Sequence, residues 1–170
     1  SQVRLEGSSI TATSTVVSSK GQIEFVTAGA ISAVSANLNN AQGSSSVVLT
    51  TSSTATLTSS TIDSKGAIQV TASSSISAAG ADWDNAQGSS AITITSSAAI
   101  DLTNGQLHAK GQIQVTAQTG LTLTNAVVEN ANGSASMTLQ TTSGPFLCGP
   151  CTATTGGGTM TMDGAAMTLS

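Results

Sequence analysis

Charge is the first thing this sequence lacks. Only 7% of its 170 residues are Asp, Glu, Lys or Arg, and the formal net charge is −4. The cations Arg4, Lys20, Lys65 and Lys110 are dispersed, as is the single histidine, His108. A nucleic-acid binder needs a basic footprint to neutralise phosphates, so no nucleic-acid partner is expected. Aromatic residues make up 2% and tyrosine is absent, so any core is thin and must rest on many small repeated contacts. No apolar run approaches the roughly 20 residues that a membrane helix requires, so membrane insertion is not expected. No Met and no signal peptide open the chain at Ser1, which fits a processed, exported protein.

Catalytic constellations are missing too. One histidine scattered among serines does not make a Ser-His-Asp set. No glycine-rich phosphate loop stands in a strand–turn–helix setting. Asp82 and Asp84 flank Trp83, and two carboxylates without further oxygen ligands make a weak calcium site, so they read as solvated turn residues. No enzyme, cofactor or metal is expected. Cys148-Gly149-Pro150-Cys151 is similar to the active-site motif of thioredoxin-like oxidoreductases. There the first cysteine stands at a helix N-terminus in a βαβ unit. Here Ser, Thr and Gly surround it, so a local disulfide in an oxidising compartment is the preferred reading, with an intermolecular link as the alternative.

What is present repeats. Lys20-Gly21-Gln22-Ile23-Glu24-Phe25-Val26-Thr27-Ala28 returns at Lys65-Gly66-Ala67-Ile68-Gln69-Val70-Thr71-Ala72 and at Lys110-Gly111-Gln112-Ile113-Gln114-Val115-Thr116-Ala117. The period is 45, since 110 − 65 = 65 − 20 = 45. Asn40-Ala41-Gln42-Gly43-Ser44-Ser45 recurs on the same clock at Asn85 and Asn130. A fixed internal period points to a repeat architecture before any other signal is weighed. Ser, Thr, Ala and Gly dominate, as in disordered chains, but disorder needs low hydrophobicity with high net charge. Here 38% of residues are apolar, and they are periodic.

Glycines at 21, 43, 66, 88, 111 and 133 split the unit into steps of 22 and 23. Each step carries a first apolar pair (Ile23/Phe25, Val47/Leu49, Ile68/Val70 and so on), a second pair (Ile31/Ala33, Ala55/Leu57, Ile76/Ala78), and a single third position (Leu38, Ile62, Trp83). Spacing of two, with Thr, Val and Ile enriched, means strands. Strands this short fold only when stacked. The expectation is an all-β, right-handed parallel β-solenoid filling residues 1–170 as one domain, with about eight coils of 22–23 residues, three short strands per coil and no capping helix. At about 4.8 Å per coil the rod is roughly 35–40 Å long.

Turn residues are expected to stack as well. Three residues before each glycine stand Ser18, Asn40, Asp63, Asn85, His108 and Asn130. Immediately before it Lys and an amide alternate, which dilutes repulsion between stacked lysines. Residues 144–158 read as an irregular loop holding the cysteines. Pro145 and Leu147 face inward there, Phe146 and Cys148 outward, and Thr152 falls where a third apolar residue was due.

Two kinds of surface follow. A stack with bare ends exposes unpaired strands that pair with other chains. The N-terminal end would present Val3, Arg4, Leu5, Ile10 and Ala12, and the C-terminal end Met160, Met162, Met167 and Leu169. Head-to-tail contact of such ends builds a homopolymer, because a heterologous contact that does not close makes a filament. The second surface is a threonine face, with Thr11, Thr56 and Thr122 in one outward column and Thr13, Thr58 and Thr124 in the next. Flat threonine arrays resemble those of ice-binding proteins, and the alternative expectation is a monomeric adhesin or ice-binding module. The sequon Asn132-Gly133-Ser134 lies in a turn column.

The Ala109-to-Ala117 repeat and the Leu121-Thr122-Leu123-Thr124-Asn125 rhythm resemble the repeats of secreted bacterial β-solenoid surface proteins of the filamentous haemagglutinin and adhesin kind. The resemblance implies export, an extracellular or cell-surface location, and a passive or adhesive role. The cell surface or other fibres then join the protein itself as partners.

Overall fold

The computed structural model describes residues 1–85, 89–131, 135–164 and 166–169. The chain winds as a β-solenoid with three parallel sheets and, among the described residues, no helix. The first sheet stacks five-residue strands such as Ile23–Thr27, Val47–Thr51 and Ile68–Ala72. The second stacks short ones such as Ile31–Ser32 and Ile100's strand Ala99–Asp101. The third holds strands such as Asn37–Asn40 and Asp82–Asn85. The sheets contain eight, eight and seven strands, which is seven full turns and two strands of an eighth. Every strand pairs with strands one turn away, never with its neighbour in sequence.

The inward ladders are as the period-two pattern predicts. Ile23, Val47, Ile68, Ile92, Ile113 and Met137 lie one on another, fully buried, and so do Phe25, Leu49, Val70, Ile94, Val115 and Leu139. The third-sheet ladder runs Leu38, Ile62, Trp83, Leu107 and Val128. Trp83 is the largest buried side chain, and its indole N–H donates to Ser60 Oγ at 3.1 Å. A buried indole needs such a partner.

The coil length differs from the expected 22–23. Register gives 47 − 23 = 24, then 68 − 47 = 21, then 92 − 68 = 24 and 113 − 92 = 21. The sum is still 45. The glycines misled because they sit at different places on two kinds of corner. Three residues (65–67) join Ser64 to Ile68, but six (41–46) join Asn40 to Val47. At the short corner Gly66 passes directly over the coil below, and a Cβ there would collide with the carbonyl of Ser45. Gly111 meets the carbonyl of Ser90 in the same way. This close approach is why the Lys-Gly signature recurs.

The expected turn column is two columns. Asn39, Asp63, Asp84, His108 and Glu129 face outward together with Ser18. Asn40, Asn85 and Asn130 instead alternate with Ser64 and Ala109 on the inward side. These asparagines are buried and hold the long corners. Asn85 Nδ2 donates to Ser90 O at 2.8 Å, Asn130 Nδ2 to Ala135 O at 3.1 Å, and Asn40 Nδ2 to Ser45 O. Ser64 pairs with Asn40, and the corners that follow have three and six residues, so Lys65 and Gln42 do not stand at matching positions. The lysine–amide ladder is corrected accordingly. Its members Gln87 and Asn132, and the sequon 132–134, lie outside the described residues.

The third corner, between the second and third sheets, is a column of left-handed residues. Ser14, Ser35, Ser59, Gly80, Asn104 and Asn125 all have φ between 50° and 65°. Each of the last five is the third residue of a four-residue turn closed by a backbone bond, such as Gly105 N to Leu102 O at 2.8 Å and Ala126 N to Leu123 O at 3.0 Å. A positive φ at this position is the mark of a type II turn.

Residues 144–158 are not an irregular loop. Strands Pro145–Cys148 and Thr152–Thr155 continue the second and third sheets in register. Phe146 stacks on Leu121 and is fully buried, while Pro145 and Leu147 are exposed, the reverse of the expected facing. Cys148 is likewise buried rather than outward, and Ala153, not Thr152, takes the third apolar position on Val128.

Trp83→Ala is expected to cost about 3–5 kcal/mol, because it removes the largest buried side chain of a thin core. Ser60→Ala should cost less, about 1–3 kcal/mol, by leaving the indole N–H unpaired. Urea unfolding of both variants measures this; a Trp83→Ala midpoint equal to the parent's would place the indole outside the core.

Candidate interaction surfaces

The N-terminal end face is formed by strands Val3–Gly7, Ile10–Thr11 and Val16–Ser18, each paired on one side only. Leu5 begins the Phe25 ladder but is 40% exposed, its strand being paired on one side only among the described residues. Val3 is half-buried, while Ile10 and Ala12 are already buried. Arg4 projects outward on the first sheet. It bonds Glu24 through Nη1 at 2.6 Å and Glu6 through Nε at 2.9 Å. Hydrogen bonding to Glu6 leads the forces that raise its pKa, so it stays cationic.

The far end is formed by Met160–Asp163 and Ala166–Leu169, with Thr152–Thr155 as the edge of the third sheet. Met160 and Met162 continue the ladders of Met137 and Leu139 and are half-buried. Met167 stacks on Phe146 and is 42% exposed. Leu169 pairs in register with Cys148, and its side chain lies outside the described residues. Of the anticipated end residues, Val3, Leu5, Met160, Met162 and Met167 are partly exposed at the two ends, Arg4 projects outward, and Ile10 and Ala12 are buried.

The threonine face is less regular. Thr11, Ser32, Thr56, Ser77, Asp101 and Thr122 form one outward column of the second sheet. It continues to Leu147 where Phe146 was expected. Thr13, Thr58 and Thr124 belong to the next column. Asp101 accepts hydrogen bonds from Thr103 N at 2.9 Å and Thr103 Oγ1 at 2.6 Å, which turns both inward on each other. A longer threonine run lies on the first sheet, where Thr50, Thr71, Thr95 and Thr116 occupy four successive coils. The residue after each first apolar pair was the available signal, since the strands read Leu-Thr, Val-Thr, Ile-Thr and Val-Thr.

The third sheet carries an acidic column. Asp63, Asp84, His108 and Glu129 succeed one another, and His108 Nδ1 lies 3.4 Å from Glu129 Oε2. Partial burial pushes the Asp63 carboxyl above its ordinary value, the charge of Asp84 adds to this, and Lys65 opposes it. Among the described residues no group of three or more His, Cys, Asp or Glu could hold a metal ion. No family model, no curated protein and no solved structure matches the chain.

A raised carboxylate pKa means that ionisation of Asp63 opposes folding, and that stability rises as pH falls through its folded-state value. Asp63→Asn should therefore melt higher than the parent at neutral pH, with the gap closing at pH values where Asp63 is protonated. A gap that is absent at neutral pH, or that persists in acid, counts against charge crowding.

Proposed function

We propose that this chain is a structural subunit that extends by stacking solenoid on solenoid, end to end. The carrying observation is the pair of end faces, on which unpaired parallel strands lie above partly exposed Leu5 at one end and Met162 and Met167 at the other. An open sheet edge over apolar ladders is a template for another strand. Continuing the register across such a junction sets Met160 on Val3 and Met162 on Leu5 of the next copy. Methionines suit a contact that must adapt, because they are unbranched and polarisable. The same register puts Asp163 beside Glu6 of the next copy, with Arg4 at hand to offset the like charges. The product is an open filament.

The disulfide supports an oxidising, extracellular setting. Likeness of the repeats to secreted haemagglutinin and adhesin solenoids points the same way, towards a fibre at the cell surface that adheres to cells or to other fibres. A second reading, a module that binds ice or another regular surface, has the run Thr50, Thr71, Thr95 and Thr116 in its favour. Ice recrystallisation separates the two: Thr71→Lys with Thr95→Lys should abolish inhibition under this reading and leave filaments unchanged under the first.

Negative-stain microscopy of the 170-residue chain over a concentration series tests the main reading. Filaments with a continuous axial repeat are expected. Leu5→Arg and Met162→Arg should each stop growth while the middle coils stay folded by circular dichroism. Short single rods at every concentration, or filaments unaffected by both substitutions, would overturn it.

A further inference from the structure

The corner that carries the cysteines departs from those before it. Register places Cys148, Gly149, Pro150 and Cys151 on Leu123, Thr124, Asn125 and Ala126 of the previous turn. In that previous turn Asn125 has φ 54° and Ala126 N bonds Leu123 O. Pro150 stands at the left-handed position, and a proline ring locks φ near −65°. The turn used by the earlier coils is closed to it. Among the described residues no backbone bond joins Cys151 N to Cys148 O. The link that is there instead is covalent: Cys148 and Cys151 form a disulfide with Cα atoms 5.6 Å apart. Proline also lacks the N–H with which Gly80 and Asn104 reach the next coil, at 2.8 Å each.

We propose that the Cys148–Cys151 disulfide is a redox-controlled clasp, closing a corner where Pro150 forbids the usual turn and so holding the last coil on the rod. The local motif reads as an oxidoreductase site, but its cysteines fill the inward positions of a turn. Cys148 is buried and Cys151 only half-buried, so a reductant meets Cys151 first. The thiolate of a dithiol attacks Cys151 Sγ and forms a mixed disulfide, and Cys148 leaves as a thiolate that takes up a proton. The second thiol of the reductant then attacks its own bound sulfur. Cys151 is released as a thiol and the dithiol becomes a cyclic disulfide, two electrons having passed to the protein. The corner then has neither a covalent nor a hydrogen-bonded closure. Strands Thr152–Thr155 and Met160–Asp163 are left with a partner on one side and a slack connection on the other.

Hydrogen exchange read by mass spectrometry, with and without dithiothreitol, tests this on the intact chain. Run in the Leu5→Arg background, which is designed not to stack, it reads the order of one coil and not assembly, so its result is separable from the filament reading. Reduction should speed exchange over 152–163 about tenfold or more while leaving Ile68–Ala72 and Ile92–Ser96 unchanged. Cys148→Ser with Cys151→Ser should match the reduced parent in either buffer. Cys148→Leu, Pro150→Asn and Cys151→Ala together restore the sequence logic of the previous corner, and this variant should stay protected with or without dithiothreitol. Equal exchange in oxidised and reduced parent overturns the proposal. So does loosening that spreads to the middle strands, or a triple variant as loose as the serine pair, or free thiols titrated in the air-purified protein.

Discussion

Each strand of this protein bonds to strands one turn away, and that single constraint governs the rest. A parallel ladder repeats at about 4.8 Å, so every residue lies on its counterpart from the turn before. An inward column must therefore hold side chains of similar bulk, and the column from Ile23 to Met137 holds only aliphatic residues and methionine. Trp83 breaks the rule of equal size. It is accommodated with its indole N–H bonded to Ser60. A thin core with few aromatics is enough because each layer is repeated, and no layer needs a long-range partner of special shape.

Stacking also dictates the corners, where most of the recognisable motifs lie. The backbone must turn three times per coil without losing register, and each corner has its own solution. Small hydroxyl residues serve at one of them: Thr27 Oγ1 donates to Gly7 O at 2.7 Å and accepts from Gly29 N at 3.2 Å. Left-handed Ser, Gly or Asn serves at the next. At the last, a three-residue Lys-Gly corner alternates with a six-residue corner spanned by a buried Asn. The alternation of lengths, 21 and 24, is what makes the chain repeat at 45 rather than at every turn.

That division explains what could be read from the residues alone. Strand positions were legible because Ile23/Phe25 and its successors keep strict alternation, and alternation has one meaning when polar residues separate the apolar ones. The coil lengths were not, because Gly43 and Gly66 look equivalent in sequence and stand on different corners. The run Pro145-Phe146-Leu147-Cys148 was misread for a related reason. With four apolar residues in succession either phase is allowed, and a slip of one flips every side chain to the other face. The phase adopted buries Phe146 and Cys148 and sets Phe146 on Leu121. The left-handed column was invisible because three of its six members are serines, which carry no fixed backbone signature.

The surfaces obey a weaker version of the same rule, and the difference bears on function. A face that binds a regular solid must offer the same chemistry on each coil. Most outward columns do not: Val48, Gln69, Thr93 and Gln114 succeed one another on the first sheet, and Ser77 is followed by Asp101 on the second. Such columns satisfy solvent and little else. Beside the threonine run from Thr50 to Thr116, the features held constant from coil to coil are the apolar ladders and the strand register, and these run along the axis to both end faces. What stacks one turn of the chain on the next is the contact that the filament proposed above would use again between rods.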